Sequence, residues 1–208
     1  MKELSFSPPA ERNKQVILEA LLKLLPEKGV ALEIACGTGQ HVQWFATHLP
    51  RWNWQPTDLH ADEFESVGER IRQSALTNVK PPQILDVLSL PWRLGGDGFF
   101  DLIYCANMLH IAPWPCCAAL MRGAAQHLTP GGMLVTYGPY LEDEVPTSES
   151  NLRFDASLRA RNPDWGIRRR EEVEQQALQA GLRLSRRLSM PANNLLLVWH
   201  GASFEHHP

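Results

Sequence analysis

Short apolar runs alternate with helical segments along this chain, and the alternation constrains its fold more than any other feature. Residues 30–35 form a continuous apolar run, which is typical of a strand buried on both faces. Residues 12–25 instead place apolar side chains at helical spacing. The alternation predicts an α/β fold with an open, doubly wound, mainly parallel sheet and helices on both faces. Strands are predicted at residues 30–35, 52–58, 83–86, 99–105, 133–137 and 193–199, and helices at 12–25, 62–75, 114–128 and 171–180, with another near 42–49.

Residues 141–170 interrupt this rhythm with polar, aromatic and proline-punctuated sequence that has no clear period. A connection of this length inside a compact domain is usually a lid, a binding loop or a small subdomain. At 208 residues the chain has the length of one domain, so we expect a single domain over 1–208. Residues 141–170 are then expected to form an insertion or lid on the substrate side, or a solvated insertion without a role.

Composition excludes several classes of protein. The chain has 20 Lys and Arg against 23 Asp and Glu, a balance that disfavours a broad surface for nucleic acid. Four cysteines without a Cys-x-x-Cys pair, and scattered histidines, predict neither a metal site nor a disulfide scaffold. No signal-like start and no long apolar run occur, so we expect a cytoplasmic protein without membrane contact. The oligomeric state stays open.

The most informative motif is the stretch Glu-Ile-Ala-Cys-Gly-Thr-Gly at residues 33–39, between a predicted strand and a predicted helix. Gly37 and Gly39 allow a sharp turn and a close approach of a ligand to the backbone. The amide groups that open the following helix then face that ligand. This arrangement predicts a site for a nucleoside-type cofactor.

Two aspartates end the next two predicted strands. Asp58 follows Gly39 by nineteen residues and is placed to accept hydrogen bonds from both ribose hydroxyls of such a cofactor. Asp86, with the Val87 amide beside it, is placed to accept from an adenine amino group. The alternatives are that Asp58 caps the following helix and that Asp86 is a loop or cap residue.

The motifs that the sequence lacks narrow the choice of nucleoside cofactor. A dinucleotide fingerprint requires a third glycine where this chain has Val42. All five lysines lie at or before Lys80, upstream of every tyrosine, so the Tyr-x-x-x-Lys pair of short-chain dehydrogenases is absent, and so is a Gly-Lys-Ser/Thr phosphate loop. A ribose and adenine site without a pyrophosphate clamp suits S-adenosylmethionine.

The ordered motifs resemble those of class I S-adenosylmethionine-dependent methyltransferases. They are Glu33-x-Ala-Cys-Gly-Thr-Gly39, Thr57-Asp58, Asp86-Val87 and Pro130-Gly-Gly-Met133. The chain resembles most closely the uncharacterised domain-of-unknown-function 938 family, related to methyltransferase-like protein 26. Its marks here are Ser7-Pro-Pro-Ala-Glu-Arg12-Asn13, Asn107-Met-Leu-His110-Ile, Ser150-Asn151-Leu-Arg-Phe154-Asp155, Trp165-Gly-Ile-Arg168 and Met190-Pro-Ala-Asn-Asn194.

The resemblance implies a Rossmann-like sheet of seven strands in which the C-terminal strand is antiparallel. It also implies that Gly37 and Gly39 lie under the methionine portion of the cofactor, with Glu33 near its amino group. Asp58 would hold the ribose, and Asp86 with Val87 the adenine. The full set of cofactor-binding residues that we expect is Glu33, Ala35, Gly37, Gly39, Asp58, Asp86, Val87 and Asn107.

On the acceptor side, His110 is the first candidate for a base because its ordinary pKa near 6.5 suits proton acceptance. Tyr137 is the second catalytic candidate, and would orient a substrate or simply pack. Each candidate has a structural alternative: His110 pins a loop, Arg12 forms a surface ion pair, and Asn13 caps a helix. The substrate-binding residues that we expect are Arg12, Asn13, Asn151, Phe154 and Arg168.

These observations predict an S-adenosylmethionine-dependent methyltransferase with a small-molecule acceptor. Nucleobase amino-methyltransferases carry Asp/Asn-Pro-Pro-Tyr/Phe after the fourth strand, whereas this chain has Asn-Met-Leu-His at 107–110, which favours a small molecule over nucleic acid. A protein acceptor and the acceptor atom remain open. The alternatives are a non-catalytic S-adenosylmethionine-binding sensor or partner module, and a nicotinamide-dependent oxidoreductase.

Overall fold

The structure, a computed structural model, describes residues 4–95 and 98–201 as six α-helices, eight strands and one short 3₁₀ turn. Strands and helices alternate over most of the chain, as the hydrophobic pattern predicts. The elements are α1 (Pro8–Leu24), β1 (Gly29–Ile34), α2 (Gln40–His48), β2 (Trp52–Asp58), α3 (Phe64–Gln73), β3 (Gln83–Ile84), β4 (Phe100–Ala106), α4 (Pro115–His127), β5 (Leu128–Leu141), α5 (Glu149–Arg161), β6 (Arg168–Arg169), α6 (Arg170–Gln179), β7 (Leu182–Met190) and β8 (Asn194–Gly201), with the 3₁₀ turn at Pro191–Asn193.

The strands form one sheet in the order β3-β2-β1-β4-β5-β8-β7, with the two-residue β6 pairing beside β5. β8 runs antiparallel to both of its neighbours, and the remaining pairs are parallel. The doubly wound fold with an antiparallel C-terminal strand is therefore confirmed, with β6 added to the seven expected strands. Strand order reverses between β1 and β4, and ligands of open α/β sheets bind at this switch point, beyond the carboxyl ends of the strands.

Helices cover both faces of the sheet because alternate side chains of each strand point to opposite faces. In β1, Ala31 packs into a core that includes buried residues of α1, α2 and α3. Its neighbours Leu32 and Ile34 pack into the second core, with buried residues of α4 and α6. Glu33 shares the first face with Ala31, so a carboxyl group enters the first core, which also contains the buried polar side chains of Asn13 and His41.

Helix α1 begins at Pro8, four residues before the predicted start. The Ser7 hydroxyl accepts the Ala10 N–H at 3.4 Å, and Pro8 occupies the first helical turn, where its missing N–H costs nothing. β5 also begins earlier than predicted, at Leu128. Phe100 pairs with Leu128 and Leu102 pairs with Met133, so an irregularity in the ladder accommodates the Pro-Gly-Gly stretch at 130–132.

The segment 141–170 contains a helix, α5, that the sequence pattern did not predict. Of the thirteen residues that the structure describes in α5, Asn151 and Leu158 are buried, so the helix has almost no apolar stripe to show as a period. Its start is local: the Ser148 hydroxyl accepts the Asn151 N–H at 3.3 Å. β6 then returns the chain to the sheet beside β5.

The helices within residues 4–95 and 98–201 were also compared with the dimensions of a bilayer. A membrane span needs roughly 20 mostly apolar residues. None of these helices combines the required length with the required apolarity.

Candidate cofactor and acceptor site

In the turn after β1, every second residue from Ala35 to Gly39 has a left-handed backbone conformation. Ala35, Gly37 and Gly39 have φ of 58°, 51° and 73°, which turn the chain sharply from β1 into α2. A side chain at Gly39 would lie 3.0 Å from Val67 of α3, so this glycine permits close packing. A side chain at Gly37 would meet nothing within 4 Å, so the backbone there borders open space. Ala35 is a non-glycine residue in a strained conformation, a feature that concentrates at functional sites.

Asp58 lies at the end of β2 and is fixed against this turn. Its Oδ2 accepts the Gly37 N–H at 2.8 Å, and its Oδ1 accepts the Leu59 N–H at 2.8 Å. A carboxylate offers about four acceptor positions. Each oxygen of Asp58 therefore keeps one position for a ligand, while both backbone bonds hold the carboxylate in place.

A buried polar cluster from four elements, β1, α1, α2 and β4, lies next to the turn. His41 Nε2 lies 2.7 Å from Asn13 Oδ1 of α1, and Tyr104 Oη of β4 lies 3.2 Å from His41 Nδ1. Glu33 Oε1 lies 4.0 Å from the same His41 nitrogen, and Glu33 Oε2 is buried without a hydrogen-bond partner among the described residues. Burial raises the pKa of Glu33 well above its usual value, and the Asp58 carboxylate raises it further.

Asp86 follows β3 at the next strand end. Its Oδ1 accepts the Leu88 N–H at 2.9 Å and its Oδ2 accepts the Ser89 hydroxyl at 3.1 Å, which is the loop role that the sequence left open for it. The Val87 carbonyl accepts the Trp92 indole N–H at 3.2 Å. One acceptor position on each Asp86 oxygen is still free for a ligand. A cleft of about 410 Å³ adjoins it, lined by Ile84, Leu85, Asp86, Ser89, Leu90, Pro91, Trp92 and Arg93.

The acceptor-side candidates meet where β4 and β5 end. Asn107 has a left-handed φ of 57°, and its N–H bonds the Tyr137 carbonyl at 2.8 Å. A side chain at Gly138 would lie 3.5 Å from His110 Nδ1 and 3.7 Å from Asn107 Oδ1. The Phe154 ring of α5 meets the His110 ring edge-on, with centroids 5.5 Å apart. The structure thus brings Asn107, His110 and Phe154 together.

His110 is neutral at physiological pH. Burial and, to a smaller extent, the nearby positive charges of Arg168 and Arg161 together lower its pKa to about 4. Its backbone carbonyl accepts the Gly166 N–H at 3.0 Å, so the residue also anchors the segment that precedes β6. Neither ring nitrogen is hydrogen-bonded within the described residues.

Arg168 uses most of its donors within the protein. Its Nε donates to the Leu109 carbonyl at 3.0 Å, and its Nη2 donates to the Ala112 and Asp164 carbonyls at 2.7 and 2.6 Å. The guanidinium also lies over the Trp114 ring at 5.5 Å. These contacts fasten the loop that carries His110, so any contact of Arg168 with a substrate stays a prediction.

The other expected residues differ in what they contact. Asn151 donates to the Asn193 carbonyl at 3.2 Å and joins α5 to the turn between β7 and β8. Arg12 is exposed to solvent. Tyr137 is buried; burial raises its pKa, while hydrogen bonds from the Asn13 and Asn194 side chains lower it. Asn13 therefore belongs to the polar cluster next to the turn and does not cap α1, a position that Ser7 occupies.

His41 and Tyr104 belong to the site but were not singled out by sequence. The signal was present: Tyr104 pairs directly with Glu33 across β1 and β4, and His41 lies in the first turn of α2. Their meaning depends on strand register, which a single sequence does not give. In the described ranges, no three His, Cys, Asp or Glu side chains converge as a metal site requires.

Solved structures of methyltransferases share this fold. An O-methyltransferase family 2 protein from Planctomyces limnophilus, solved with apigenin, is 18% identical, with a TM-score of 0.72 over 89% of this chain and 61% of its own. An O-methyltransferase family protein from Burkholderia thailandensis is also 18% identical, with a TM-score of 0.73 over 94% of this chain and 61% of its own. Human N-acetylserotonin methyltransferase, solved with S-adenosylmethionine, is 15% identical, with a TM-score of 0.72 over 93% of this chain and 52% of its own. At these identities the likeness shows the fold.

The present chain spans about three fifths of the length of the first two of these structures and about half of the third. A family model gives a more specific result, because it matches almost the whole described chain. The model, described as "Protein of unknown function (DUF938)", matches residues 4–201. The chain belongs to this family.

Proposed function

We propose that this protein binds S-adenosylmethionine at the turn after β1 and transfers its methyl group to the hydroxyl of a small, flat acceptor beside His110. The observation that carries the proposal is the turn itself: of its three left-handed residues, Gly37 borders open space and donates its N–H to Asp58. Glu33, in the strand before this turn, has a buried Oε2 without a partner among the described residues. Methyltransferases of the same fold, one of them solved with S-adenosylmethionine, support it.

The residues present fit the cofactor. Asp58 keeps two acceptor positions for two ribose hydroxyls, and Asp86 keeps positions for an adenine amino group. The open side of Gly37 lets a ligand reach the backbone. Glu33 Oε2 is a buried acceptor without a donor, the group that an amine would satisfy. The two cationic groups of the cofactor suit this acidic end of the sheet.

When bound, the cofactor supplies a methyl group on a positively charged sulfur, which leaves as a neutral thioether. The protein mainly has to align the acceptor with that methyl group and keep water out. In this proposal Asn107 borders the methyl group, Phe154 covers the acceptor, and residues 141–170 form the substrate-side wall. A base is useful because the acceptor hydroxyl must lose its proton.

His110 is the group that we propose takes this proton. Its low pKa makes it neutral and ready to accept, but also a weak base. A weak base favours an acidic hydroxyl, such as that of a phenol, over an aliphatic one. The charges of Arg168 and Arg161 that lower the pKa of His110 also favour the phenolate, so they help the same step.

Exposed apolar side chains favour a flat acceptor as well. Phe154 and Ile111 are 37% and 44% exposed, and one lies on α5 while the other follows His110 directly. An aromatic acceptor stacks well against such groups. The apigenin bound to the Planctomyces limnophilus protein, a phenol, gives a first compound to test.

Cofactor binding is tested by thermal unfolding with S-adenosylmethionine, S-adenosylhomocysteine or NAD. At a concentration near 100 times the dissociation constant, the first two ligands should raise the melting temperature by about 5–10 °C, and NAD should not. Asp58→Ala should remove the shift, and the control Asp143→Ala, at an exposed position, should keep it. A full shift in Asp58→Ala, or a shift with NAD, contradicts the proposed site.

Methyl transfer is tested with labelled S-adenosylmethionine and a panel of phenols that includes apigenin. His110→Ala should lower turnover by about 10²–10⁴-fold while cofactor binding stays unchanged. The exposed His48→Ala serves as a control and should keep full activity. Cofactor binding without turnover of any acceptor would favour a sensor over an enzyme.

A further inference from the structure

Glu33 is 2% exposed, and its Oε2 has no partner in the part of the chain that the structure describes. Burying a charged carboxylate without a donor is costly, so such a group normally holds a proton or meets a cation. The Glu33 backbone carbonyl, by contrast, accepts the Thr57 hydroxyl at 2.7 Å. The side chain is thus the unsatisfied part of an otherwise well-bonded residue.

Hydrogen-bond accounting explains why its neighbours cannot supply a donor. Asn13 Oδ1 can only accept, so His41 Nε2 carries the ring proton and donates to it. Burial lowers the pKa of His41 to about 4, so Nδ1 is unprotonated and accepts the Tyr104 hydroxyl. Glu33 Oε1 therefore faces a lone pair at 4.0 Å rather than a donor. A Glu33 carboxylate would be repelled there.

The charges around Glu33 act in the same direction. Asp58 of β2 raises the pKa of Glu33 beyond the effect of burial. Lys14 of α1 acts on His41, but is paired with Glu11 at 2.5 Å. The titratable and charged groups that interact electrostatically with Glu33 or His41 are Cys36 of the turn, Asp58 of β2, Tyr104 and Cys105 of β4, and Lys14 of α1, of which Cys105 lies on the opposite face of the sheet.

We propose that Glu33 is a proton-linked receptor for the amino group of the cofactor: the free protein holds a protonated Glu33, and binding of the amino-acid portion releases one proton to solvent. This inference rests on the proposed function. The balance is that a neutral carboxyl and an ammonium ion become a carboxylate–ammonium pair, and one proton leaves. The ligand amine supplies the donor that His41 Nδ1, which accepts from Tyr104, does not offer to Glu33.

A linked proton makes affinity depend on pH. Where one full proton is released, the association constant rises about tenfold for each unit of pH. The affinity of a ligand that carries the amino group should therefore increase between pH 6 and 7. A ligand without the amino-acid portion should show no such dependence.

The test is isothermal titration calorimetry at pH 7 in buffers of different ionisation enthalpy, which counts the protons released. S-adenosylhomocysteine should release close to one proton. 5′-Methylthioadenosine, which lacks the amino-acid portion, should bind with almost none. Glu33→Gln should abolish the release with S-adenosylhomocysteine and weaken its binding by about 10- to 100-fold, the range of a charge-assisted hydrogen bond.

Glu27→Gln, the same substitution at an exposed position, is the matched control and should behave like the parent. Binding of S-adenosylhomocysteine without proton release would overturn the inference and leave the proposed cofactor intact. An equal release with 5′-methylthioadenosine, or a release that persists in Glu33→Gln, would also overturn it. Failure of both ligands to bind would reject the proposed cofactor, and the inference with it.

Discussion

Two glutamates of this protein lie in opposite environments. Glu142, directly after β5, has a side chain that is 10% exposed; its Oε1 accepts from Arg170 Nε at 3.0 Å and from Arg187 Nε at 2.9 Å. The hydrogen bond to Arg187 lowers its pKa. Glu33 is more deeply buried, has no Lys or Arg side chain paired with it in residues 4–95 and 98–201, and has its pKa raised by burial.

The difference lies in what each region provides for the charge. Glu142 joins β5, β7 and α6, and its partners come from the protein, so its charge stabilises the fold. Glu33 precedes the turn that we propose binds the cofactor, and its Oε2 has no partner among the described residues, so a negative charge on it would cost stability until a cation binds. The complete pairing of Glu142 fits a structural role, and the buried Oε2 of Glu33 fits the binding role proposed for it.

The largest expected effect is the pH dependence of Glu33→Gln. A raised pKa means that the folded state holds the proton more tightly, so the parent protein loses stability as pH rises above the usual value of 4.5. The glutamine of Glu33→Gln does not titrate. The free energy of unfolding of this variant, relative to that of the parent, should therefore rise by up to about 1.4 kcal/mol per pH unit. Melting temperatures of both ligand-free proteins between pH 5 and 8 measure the difference. Parallel curves would show that Glu33 is already ionised.

A smaller effect of opposite sign is expected for Glu142→Gln. Losing the charge-assisted bonds to Arg170 and Arg187 should destabilise the protein by about 1–3 kcal/mol at pH 7, or about 3–9 °C in melting temperature. Because the pKa of Glu142 is lowered, this contribution is present above the usual value and is lost as pH falls through the lowered one. Thermal unfolding at pH 7 and at acid pH checks it. An equal loss at both pH values would exclude an ionic origin.

The smallest effect is expected for Arg153→Ala on α5. Arg153 Nη1 lies 3.2 Å from Glu149, but the side chains are 73% and 87% exposed. Exposed pairs at this spacing contribute about 0.3–0.5 kcal/mol, so the melting temperature should change by no more than about 2 °C. A loss of more than 1 kcal/mol in the free energy of unfolding would show that this exposed pair stabilises the protein as much as the less exposed pairs of Glu142 do.

Much of the fold could be predicted from the sequence because its signals are local. The apolar run that became β1 and the glycines that follow it lie together in the chain, and their pattern predicts a strand, a turn and a helix. α5 could not be predicted, since a helix with two buried residues leaves no period. The early start of β5 depends on a ladder irregularity opposite β4, which no local pattern records.

The site was predictable to a similar extent. Asp58 and Gly37, which the sequence proposed for one ligand, are hydrogen-bonded to each other. Arg168 was expected to bind a substrate because of its charge and its place in the segment 141–170, whereas in the structure its Nε and Nη2 donate to backbone carbonyls. Arginine type gives the charge, whereas packing decides which acceptors lie within its reach.

The sequence by itself determined the alternation of strands and helices, the strained turn at residues 35–39 and the acidic residues at the strand ends, because each follows from neighbouring residues. Only the tertiary structure decided that His41 lies beside Glu33, that Asn13 and Tyr104 lie on either side of the His41 ring, and that Glu33 Oε2 has no partner among the described residues. That arrangement joins residues far apart in the chain through strand register and helix packing, and the direction of each hydrogen bond depends on all the others.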